Sequence, residues 1–151
     1  METQGGEVRK AIELFFFAYR DFTGEADAIL AEYGFGRAHH RAIYFIGRSP
    51  GIAVHQLLAI LKITKQSLGR VLNQLIDEGY VRQDTDKKDG RRRLLTLTSS
   101  GITLENLLTE RQSQRINKAY ALAGKDAHKG FLRVLEQIVD NHETIQLSDG
   151  G

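Results

Sequence analysis

Cysteine and tryptophan are absent from the 151 residues, and the chain contains a single proline. Without cysteine, the chain cannot form disulfides, thiolate metal sites or a thiol redox sensor. No apolar run approaches the roughly 20 residues that a membrane-spanning helix needs, and residues 1–6 do not resemble a signal peptide. We therefore expect a cytoplasmic protein without a membrane partner. The length fits one domain, residues 1–151, that is large enough to bury a core.

Signals for catalysis, metals and phosphate loops are equally scarce. Ser99 and Ser100 do not form a nucleophile elbow, no glycine-rich phosphate loop is present, and the histidines lie apart except for His39 and His40. Neighbouring residues on a helix point about 100° apart, so these two side chains cannot share a metal ion as residues four positions apart can. We predict no enzyme activity, no metal site and no cofactor.

One amphipathic helix, predicted over residues 64–78, organises the chain. Its apolar residues form a single stripe that should face the core: Leu68, Val71, Leu72, Leu75 and Ile76. Thr64 is a suitable N-cap, and Gly79 is a suitable residue after the C-terminal end. The opposite face is polar and carries no carboxylate before Asp77: Lys65, Gln66, Ser67, Arg70, Asn73 and Gln74. These groups match base edges and phosphates in a DNA major groove, although a solvated polar face would have the same composition.

The segments on both sides of this helix indicate a helix-turn-helix followed by a β-wing. After a turn at Pro50 and Gly51, residues 53–61 form a predicted short helix that a tight connection joins to the next one. Beyond the second helix, residues 80–83 and 92–98 have the pattern of two strands joined by a polar loop. The wing tip is rich in long cations that can lie along phosphates or enter a minor groove: Lys87, Lys88, Arg91, Arg92 and Arg93.

This wing resembles that of the MarR (multiple antibiotic resistance regulator) family of bacterial winged-helix transcription factors. The family pattern is Asp, any residue and Arg, then an apolar strand that ends in Leu-Thr-x-x-Gly. The matching residues here are Asp89-Gly90-Arg91, then Leu95, Leu97-Thr98 and Gly101. Residues 50–81 resemble the family's helix-turn-helix, and the likeness extends over roughly residues 7–145. The resemblance implies a regulator that binds double-stranded DNA.

The charge distribution favours DNA contact at the same stretch. Residues 37–96 contain twelve Lys and Arg against five Asp and Glu, whereas residues 1–36 contain three against seven and residues 97–151 six against seven. The DNA contacts that we predict combine the helix face with the wing: Thr64, Lys65, Gln66, Ser67, Arg70, Asn73, Asp89, Arg91, Arg92 and Arg93. For Asp89, the resemblance implies that it orients Arg91 or braces the wing, and a turn-forming Asp is compatible with both roles.

Both ends of the chain are predicted to be long helices with apolar surface to spare. The helix over residues 7–33 has apolar side chains around more than one face, so it needs more than one partner. Helices over residues 99–123, capped by Thr98, and 125–143 supply matching surface. Burial in the monomer core would explain any single residue, but the MarR resemblance implies a homodimer formed by these helices. The predicted interface residues are Val8, Ile12, Phe15, Phe131, Leu135 and Ile138.

A small-molecule site is predicted on the first two helices. The second helix covers residues 37–47 and contains His39 and His40, for which core hydrogen bonding and the lining of a ligand cavity both remain open. In the MarR family, effectors bind between the dimerisation helices and the DNA-binding lobe. The resemblance therefore implies an effector site that includes Phe16, Tyr19, Arg20, His39 and Tyr44.

Together these patterns predict a mainly α fold: a winged helix-turn-helix with long N- and C-terminal dimerisation helices and a two-stranded β-wing. Residues 37–98 form the DNA-binding lobe, and residues 7–33 and 99–145 form the dimerisation region. The predicted function is that of a dimeric, sequence-specific DNA-binding regulator of an inverted-repeat operator. A repressor that a small-molecule effector releases is favoured over an activator. The alternative is a winged helix that binds another protein and has no independent affinity for DNA.

Overall fold

The computed structural model describes residues 2–140, and the side chains of residues 5–140. The helices in this part of the chain are α1 (Glu2–Glu32), α2 (Arg37–Arg48), α3 (Val54–Leu61), α4 (Lys65–Asp77), α5 (Ser99–Ala123) and α6 (Ala127–Ile138). The strands are β1 (Ile52–Ala53), β2 (Val81–Thr85) and β3 (Arg93–Leu97). The prediction of a mainly α, winged helix-turn-helix fold is confirmed.

The hydrophobic core joins the helix-turn-helix and the sheet to one end of each long helix. Its fully buried large side chains come from α1 to α5 and from β3: Leu30, Ile43, Ile46, Leu57, Leu68, Leu75, Leu95 and Leu108. The stripe predicted for α4 is buried in this core, apart from Ile76, which is partly buried. Residues 5–20 of α1 take no part, since each of them is exposed. The core thus holds one face of α4 and leaves the opposite face in solvent.

The sheet has three strands, whereas the sequence predicts only the two strands of the wing. β3 lies in the centre and is antiparallel to both neighbours, with Ile52 of β1 opposite Leu95. Gly51, at φ 86°, turns the chain so that its N–H donates to the carbonyl of Leu95 at 2.8 Å. A strand of two residues is too short to show the alternation by which strands are recognised, so the sequence carries no signal for β1. As a result, α3 begins at Val54, one residue later than predicted.

The junction between β3 and α5 is closely packed and holds the end of the wing against both α4 and α5. Thr98 caps α5, because its Oγ1 accepts a hydrogen bond from the N–H of Gly101 at 3.1 Å. The same hydroxyl donates to the carbonyl of Gly79 at 2.6 Å, and the N–H of Thr98 donates to the carbonyl of Tyr80 at 3.1 Å. A Cβ on Gly101 would overlap that carbonyl oxygen of Tyr80. The Leu-Thr-x-x-Gly pattern therefore packs the start of α5 against the chain that leaves α4.

The predicted start of α1 and the predicted end of α6 differ from the structure by about five residues each. α1 begins at Glu2 rather than at residue 7, because Gly5 and Gly6 lower the helix propensity without ending the helix. α6 ends at Ile138 rather than near residue 143, and Val139 is extended at φ −68° and ψ 129°. Residues 141–145 of the predicted dimerisation region lie outside the described residues. Within the described part of the chain, every helix is too short or too polar to span a membrane.

Candidate nucleic-acid interface

The helix-turn-helix presents the polar face of α4 to solvent. Lys62, in the left-handed conformation at φ 52°, ends α3 and turns the chain toward α4. Thr64 then caps α4, since its Oγ1 accepts from the N–H of Ser67 at 3.0 Å and donates to Ser67 Oγ at 2.9 Å. This confirms the predicted cap. Beyond it, the exposed polar side chains of α4 are Lys65, Gln66, Arg70 and Asn73, while Ser67 is half-buried.

Gln74 does not belong to this exposed face, contrary to the sequence prediction. Its Nε2 donates to the carbonyl of Gly34 at 3.4 Å, and its Oε1 lies 2.7 Å from Nε2 of His39. Gln74 is half-buried because it lies where α4 packs against α2 and the corner between α1 and α2. Helical spacing alone does not separate a residue at the margin of a buried stripe from one on the open face.

The wing tip is shaped by carboxylates that bind its backbone. Oδ1 of Asp89 accepts from the N–H of Arg91 at 3.0 Å, and the carbonyl of Asp89 accepts from the N–H of Arg92 at 3.0 Å. Oδ1 of Asp86 accepts in the same way from the N–H of Lys88 at 2.9 Å. Asp89 is therefore a turn-forming residue, and its hydrogen bonds go to backbone groups of the wing rather than to the guanidinium of Arg91.

The three consecutive arginines of the wing differ in their surroundings. Nη1 of Arg92 lies 3.7 Å from Oδ2 of Asp86, and this arginine is partly buried, so its charge is compensated within the wing. Arg91 and Arg93 are exposed. The pairing with Asp86 therefore distinguishes the middle arginine from its two neighbours.

Exposed cations lie on both α4 and the wing: Lys65, Arg70, Lys87, Lys88, Arg91 and Arg93. The nearby carboxylates of Asp84 and Asp86 are paired, with Arg82 at 3.0 Å and with Arg92 at 3.7 Å. These pairs offset the negative charge of two wing carboxylates and leave the six cations exposed to solvent. Guanidinium, ammonium and amide donors at such density suit the phosphates and base edges of a nucleic acid.

A cavity of about 420 Å³ lies between α1, α2 and α5. In its wall, Nη2 of Arg37 pairs with Oδ2 of Asp27 at 3.0 Å, and Nη2 of Arg41 donates to the hydroxyl of Tyr19 at 2.8 Å. His40 also lines the cavity, together with aromatic and aliphatic side chains that include Phe22, Tyr44, Phe45 and Ile116. An apolar wall with a few cationic groups can hold a small anionic or polar aromatic molecule.

Burial lowers the pKa of His40 below its ordinary value, opposed by Asp27 and reinforced by Arg41. The folded state therefore favours the neutral ring, and the unfolded chain binds more protons in the window between the two pKa values. The contribution of His40 to stability is present above its unfolded pKa of about 6.5 and is lost as the pH falls through the lower, folded pKa. We expect His40→Gln to lose less thermal stability than the wild type on acidification from about pH 7.5 to about pH 5.5.

Thermal unfolding across that range measures this effect. His55, an exposed histidine of α3, provides the matched control, because His55→Gln should keep the wild-type dependence of Tm on pH. Parallel curves for His40→Gln and the wild type would contradict the assignment.

The chain is similar to known proteins in both sequence and fold. The sequence model of the MarR family matches residues 33–92, which run from the end of α1 to the wing. The HTH-type transcriptional regulator PetP of Rhodobacter capsulatus is 50% identical over 134 residues, which cover 89% of this chain and 81% of PetP. The chain belongs to the MarR family. It is a DNA-binding transcriptional regulator of the MarR type, as the wing motif predicts.

Solved structures of MarR-type regulators agree with this assignment. Streptococcus pneumoniae FabT, whose structure contains DNA, matches with a TM-score of 0.71 at 17% identity and covers 87% of this chain and 99% of its own. The complex of S. aureus MepR with DNA matches with a TM-score of 0.64 at 18% identity and covers 83% of this chain and 93% of its own. At these identities the likeness establishes the fold.

The cavity of this MarR-family chain includes two of the five residues predicted for an effector site. Tyr19 and Tyr44 line it, whereas Phe16, Arg20 and His39 do not. Phe16 is exposed on α1, and Arg20 forms an exposed ion pair with the next residue at 2.9 Å. The ring of His39 is turned toward α4 instead.

Residues that sequence reasoning did not select complete the cavity wall, and several of them follow a simple pattern. Arg37, His40, Arg41 and Tyr44 all line the cavity and have the i, i+3, i+4, i+7 spacing of one helix face. Applied to α2, this spacing groups His40 rather than His39 with Tyr44.

The predicted dimer residues are largely uncovered in the single chain. Val8, Ile12 and Phe15 are 60%, 64% and 55% exposed, and Phe131 and Ile138 are 43% and 58% exposed. Leu135 is half-buried. Exposed apolar surface of this extent is typical of protein interaction sites.

Proposed function

We propose that this MarR-type regulator is a homodimer that binds an inverted-repeat operator in double-stranded DNA and represses transcription until a small-molecule effector releases it. The observation that carries the proposal is that the hydrogen-bond donors of α4 and the cations of the wing are both exposed. FabT and MepR, which share the fold, have been solved with DNA. A regulator of chromosomal genes acts in the cytoplasm, which is the location we propose.

In this proposal α4 is the recognition helix, and its exposed residues divide by chemistry. Gln66 and Asn73 can pair with adenine, and Lys65 and Arg70 can pair with guanine. Thr64 and Ser67 lie at the first turn of α4, which we place close to the phosphate backbone beside the major groove. The exposed wing cations, which include Arg91 and Arg93, neutralise phosphates or enter the minor groove. Arg92 and Asp89 serve by holding the wing in shape, since their interactions are made within it.

The proposed dimer pairs the apolar surface of α1 and α6 with the same surface of a second copy. A two-fold interface of this kind is isologous, which means that both subunits use the same surface patch. Two recognition helices then reach successive major grooves only if they lie about 34–36 Å apart, one turn of DNA. The two-fold symmetry makes the operator an inverted repeat, and the separation of the helices sets the spacing of its half-sites.

The proposed effector binds in the cavity between α1, α2 and α5. Arg41 favours a small molecule with an anionic or strongly polar group, since Arg37 is already paired with Asp27 and the ring of His40 is neutral. The aromatic wall favours a ring. α2 forms one wall of the cavity and also packs against α4. A ligand that requires a shift of α2 can therefore move the recognition helix, by no more than the difference in its affinity for the two conformations.

Selection of bound duplexes from a random pool tests the proposal. The recovered sequences should share an inverted repeat whose half-sites are centred about 10 base pairs apart or a whole-turn multiple, and affinity should fall steeply with salt. Recovery of a single half-site by a monomer would contradict the dimer model. If no duplex is retained in dilute buffer, the alternative of a winged helix that binds another protein is favoured.

Substitution of wing and helix arginines should separate phosphate contacts from base contacts. Arg91→Ala is expected to weaken binding to the selected and to a scrambled duplex equally and to reduce the salt dependence by about one phosphate contact. Arg70→Ala should cost about 1–3 kcal/mol on the selected duplex only, because it removes a base contact. Titrations of both duplexes at several salt concentrations measure these effects. Equal losses on both duplexes for both variants would contradict the division.

A further inference from the structure

The proposed recognition helix α4 is held by side-chain hydrogen bonds of Gln74 in addition to its apolar stripe. Apolar packing is nondirectional and tolerates small rotations of a helix about its axis, whereas a hydrogen bond weakens steeply when its angle changes. Gln74 supplies such a bond at the edge of the buried stripe of α4, one turn after Arg70 and next to Asn73. Its partners, His39 and the carbonyl of Gly34, lie in α2 and at the corner between α1 and α2.

The donor and acceptor roles in this contact follow from the geometry. Nδ1 of His39 accepts from the N–H of Gly36 at 3.0 Å, so the ring proton resides on Nε2. Nε2 then donates to Oε1 of Gln74 at 2.7 Å, and the amide group of Gln74 is left to donate to the carbonyl of Gly34 at 3.4 Å. Both ring nitrogens of His39 and both polar atoms of the Gln74 amide therefore have a hydrogen-bond partner.

Packing holds the imidazole of His39 in place. The ring stacks on Phe35 with centroids 4.8 Å apart and planes 17° apart, and Phe35 is itself buried at 6% exposure. His39 therefore offers α4 a fixed donor rather than a mobile one. Its other nitrogen caps the start of α2, which ties the donor to the backbone.

We propose that His39 is a positioning residue for DNA reading: through Gln74 it sets the rotation of α4 about its axis and so the reach of Arg70 and Asn73. The inference rests on the proposed role of α4 as the recognition helix. A rotation of roughly 10° moves a side-chain tip about 5–6 Å from the axis by about 1 Å, which is enough to spoil a bidentate base contact. Phosphate contacts made by flexible cations of the wing are insensitive to such a rotation.

Two substitutions of His39 divide its two roles. Asn places an oxygen near the position of Nδ1, so His39→Asn keeps the cap on Gly36 but does not reach Gln74. Gln places an amide nitrogen near the position of Nε2, so His39→Gln keeps the donor to Gln74 but gives up the cap. The two variants therefore separate the link to α4 from simple support of α2.

The experiment compares affinity for the duplex selected from a random pool with affinity for a scrambled duplex of the same length. His39→Asn should lower affinity for the selected duplex by about three- to tenfold and leave the scrambled duplex unchanged, and His39→Gln should retain most of the discrimination. The opposite ranking, or equal losses on both duplexes, would reduce His39 to a structural residue and overturn the inference.

Gln74→Leu provides a second, independent variant that removes the link from the side of α4. It should show the same selective loss, and combining it with His39→Asn should add little, because both changes remove one interaction. Additive losses would overturn the proposal. Arg70→Ala tests the role of α4 separately from the role of His39. If Arg70→Ala leaves discrimination between the two duplexes intact, the role assigned to α4 is wrong. If Arg70→Ala lowers discrimination but His39→Asn and Gln74→Leu do not, only the role of His39 is refuted.

Discussion

Phe15→Glu is expected to convert the protein to a monomer and to weaken operator binding by about a hundredfold or more. Phe15 is 55% exposed in the single chain and lies on the apolar surface proposed for the dimer. Burial of a phenylalanine contributes roughly 1.5–3 kcal/mol, and each copy of a two-fold dimer carries the change. A carboxylate in the same place adds a desolvation penalty. A monomer would then hold one half-site and lose the gain from binding both at once.

Sedimentation or light scattering measures the oligomeric state, and titration of the selected duplex measures binding. Ile102→Glu is the matched control, because Ile102 is also an exposed apolar residue, at 50%, but lies in the first turn of α5 and outside the proposed dimer surface. It should leave the oligomeric state unchanged. Tight, two-site operator binding by a monomeric Phe15→Glu protein would contradict the dimer model.

Gly101→Ala is expected to destabilise the fold by about 2–4 kcal/mol, which corresponds to a fall in Tm of roughly 5–15 °C for a chain of this size. The added Cβ would overlap the carbonyl oxygen of Tyr80 and would lie 3.2 Å from Cβ of Leu97. The carbonyl belongs to the main chain and already accepts from the N–H of Thr98, so it cannot move without breaking that bond. The change would loosen the wing from α5.

Gly24→Ala tests whether the effect belongs to the position rather than to glycine. Gly24 lies within α1 with no atom close to the place of a Cβ, so the substitution should raise stability by about 0.5–1 kcal/mol. Thermal or denaturant unfolding measures both variants. A Gly101→Ala protein as stable as the wild type would show that the junction adapts without cost.

Much of the fold was accessible from the sequence, because the signals are local. The stripe from Leu68 to Leu75 repeats within a few turns, and Thr64 caps the helix in which it stands. The two wing strands flank a short polar loop, residues 86–92, which is rich in turn-forming residues. β1 has two residues and forms only because Leu94 and Leu95 lie alongside it, so no local pattern announces it.

The surface that we propose for DNA contact was predicted in part. The exposed residues of α4 follow from its periodicity, but Gln74 at the edge of the stripe was assigned to the wrong face. The three wing arginines look equivalent in the sequence, yet Arg92 turns to Asp86 while Arg91 and Arg93 stay exposed. The cavity was the feature hardest to predict from the sequence, since α5, which completes its wall, is distant in the chain from α1 and α2.

The amino-acid sequence by itself determined the order of helices and strands, the buried stripe of α4, the basic character of the helix-turn-helix and wing, and the family. These properties depend on residue spacing and composition, which are written along the chain. Only the tertiary structure decided that His40 rather than His39 lines the cavity and that His39 meets Gln74, 35 residues away. The partner of a side chain at a helix edge depends on how two helices cross, and packing of the whole core sets that crossing.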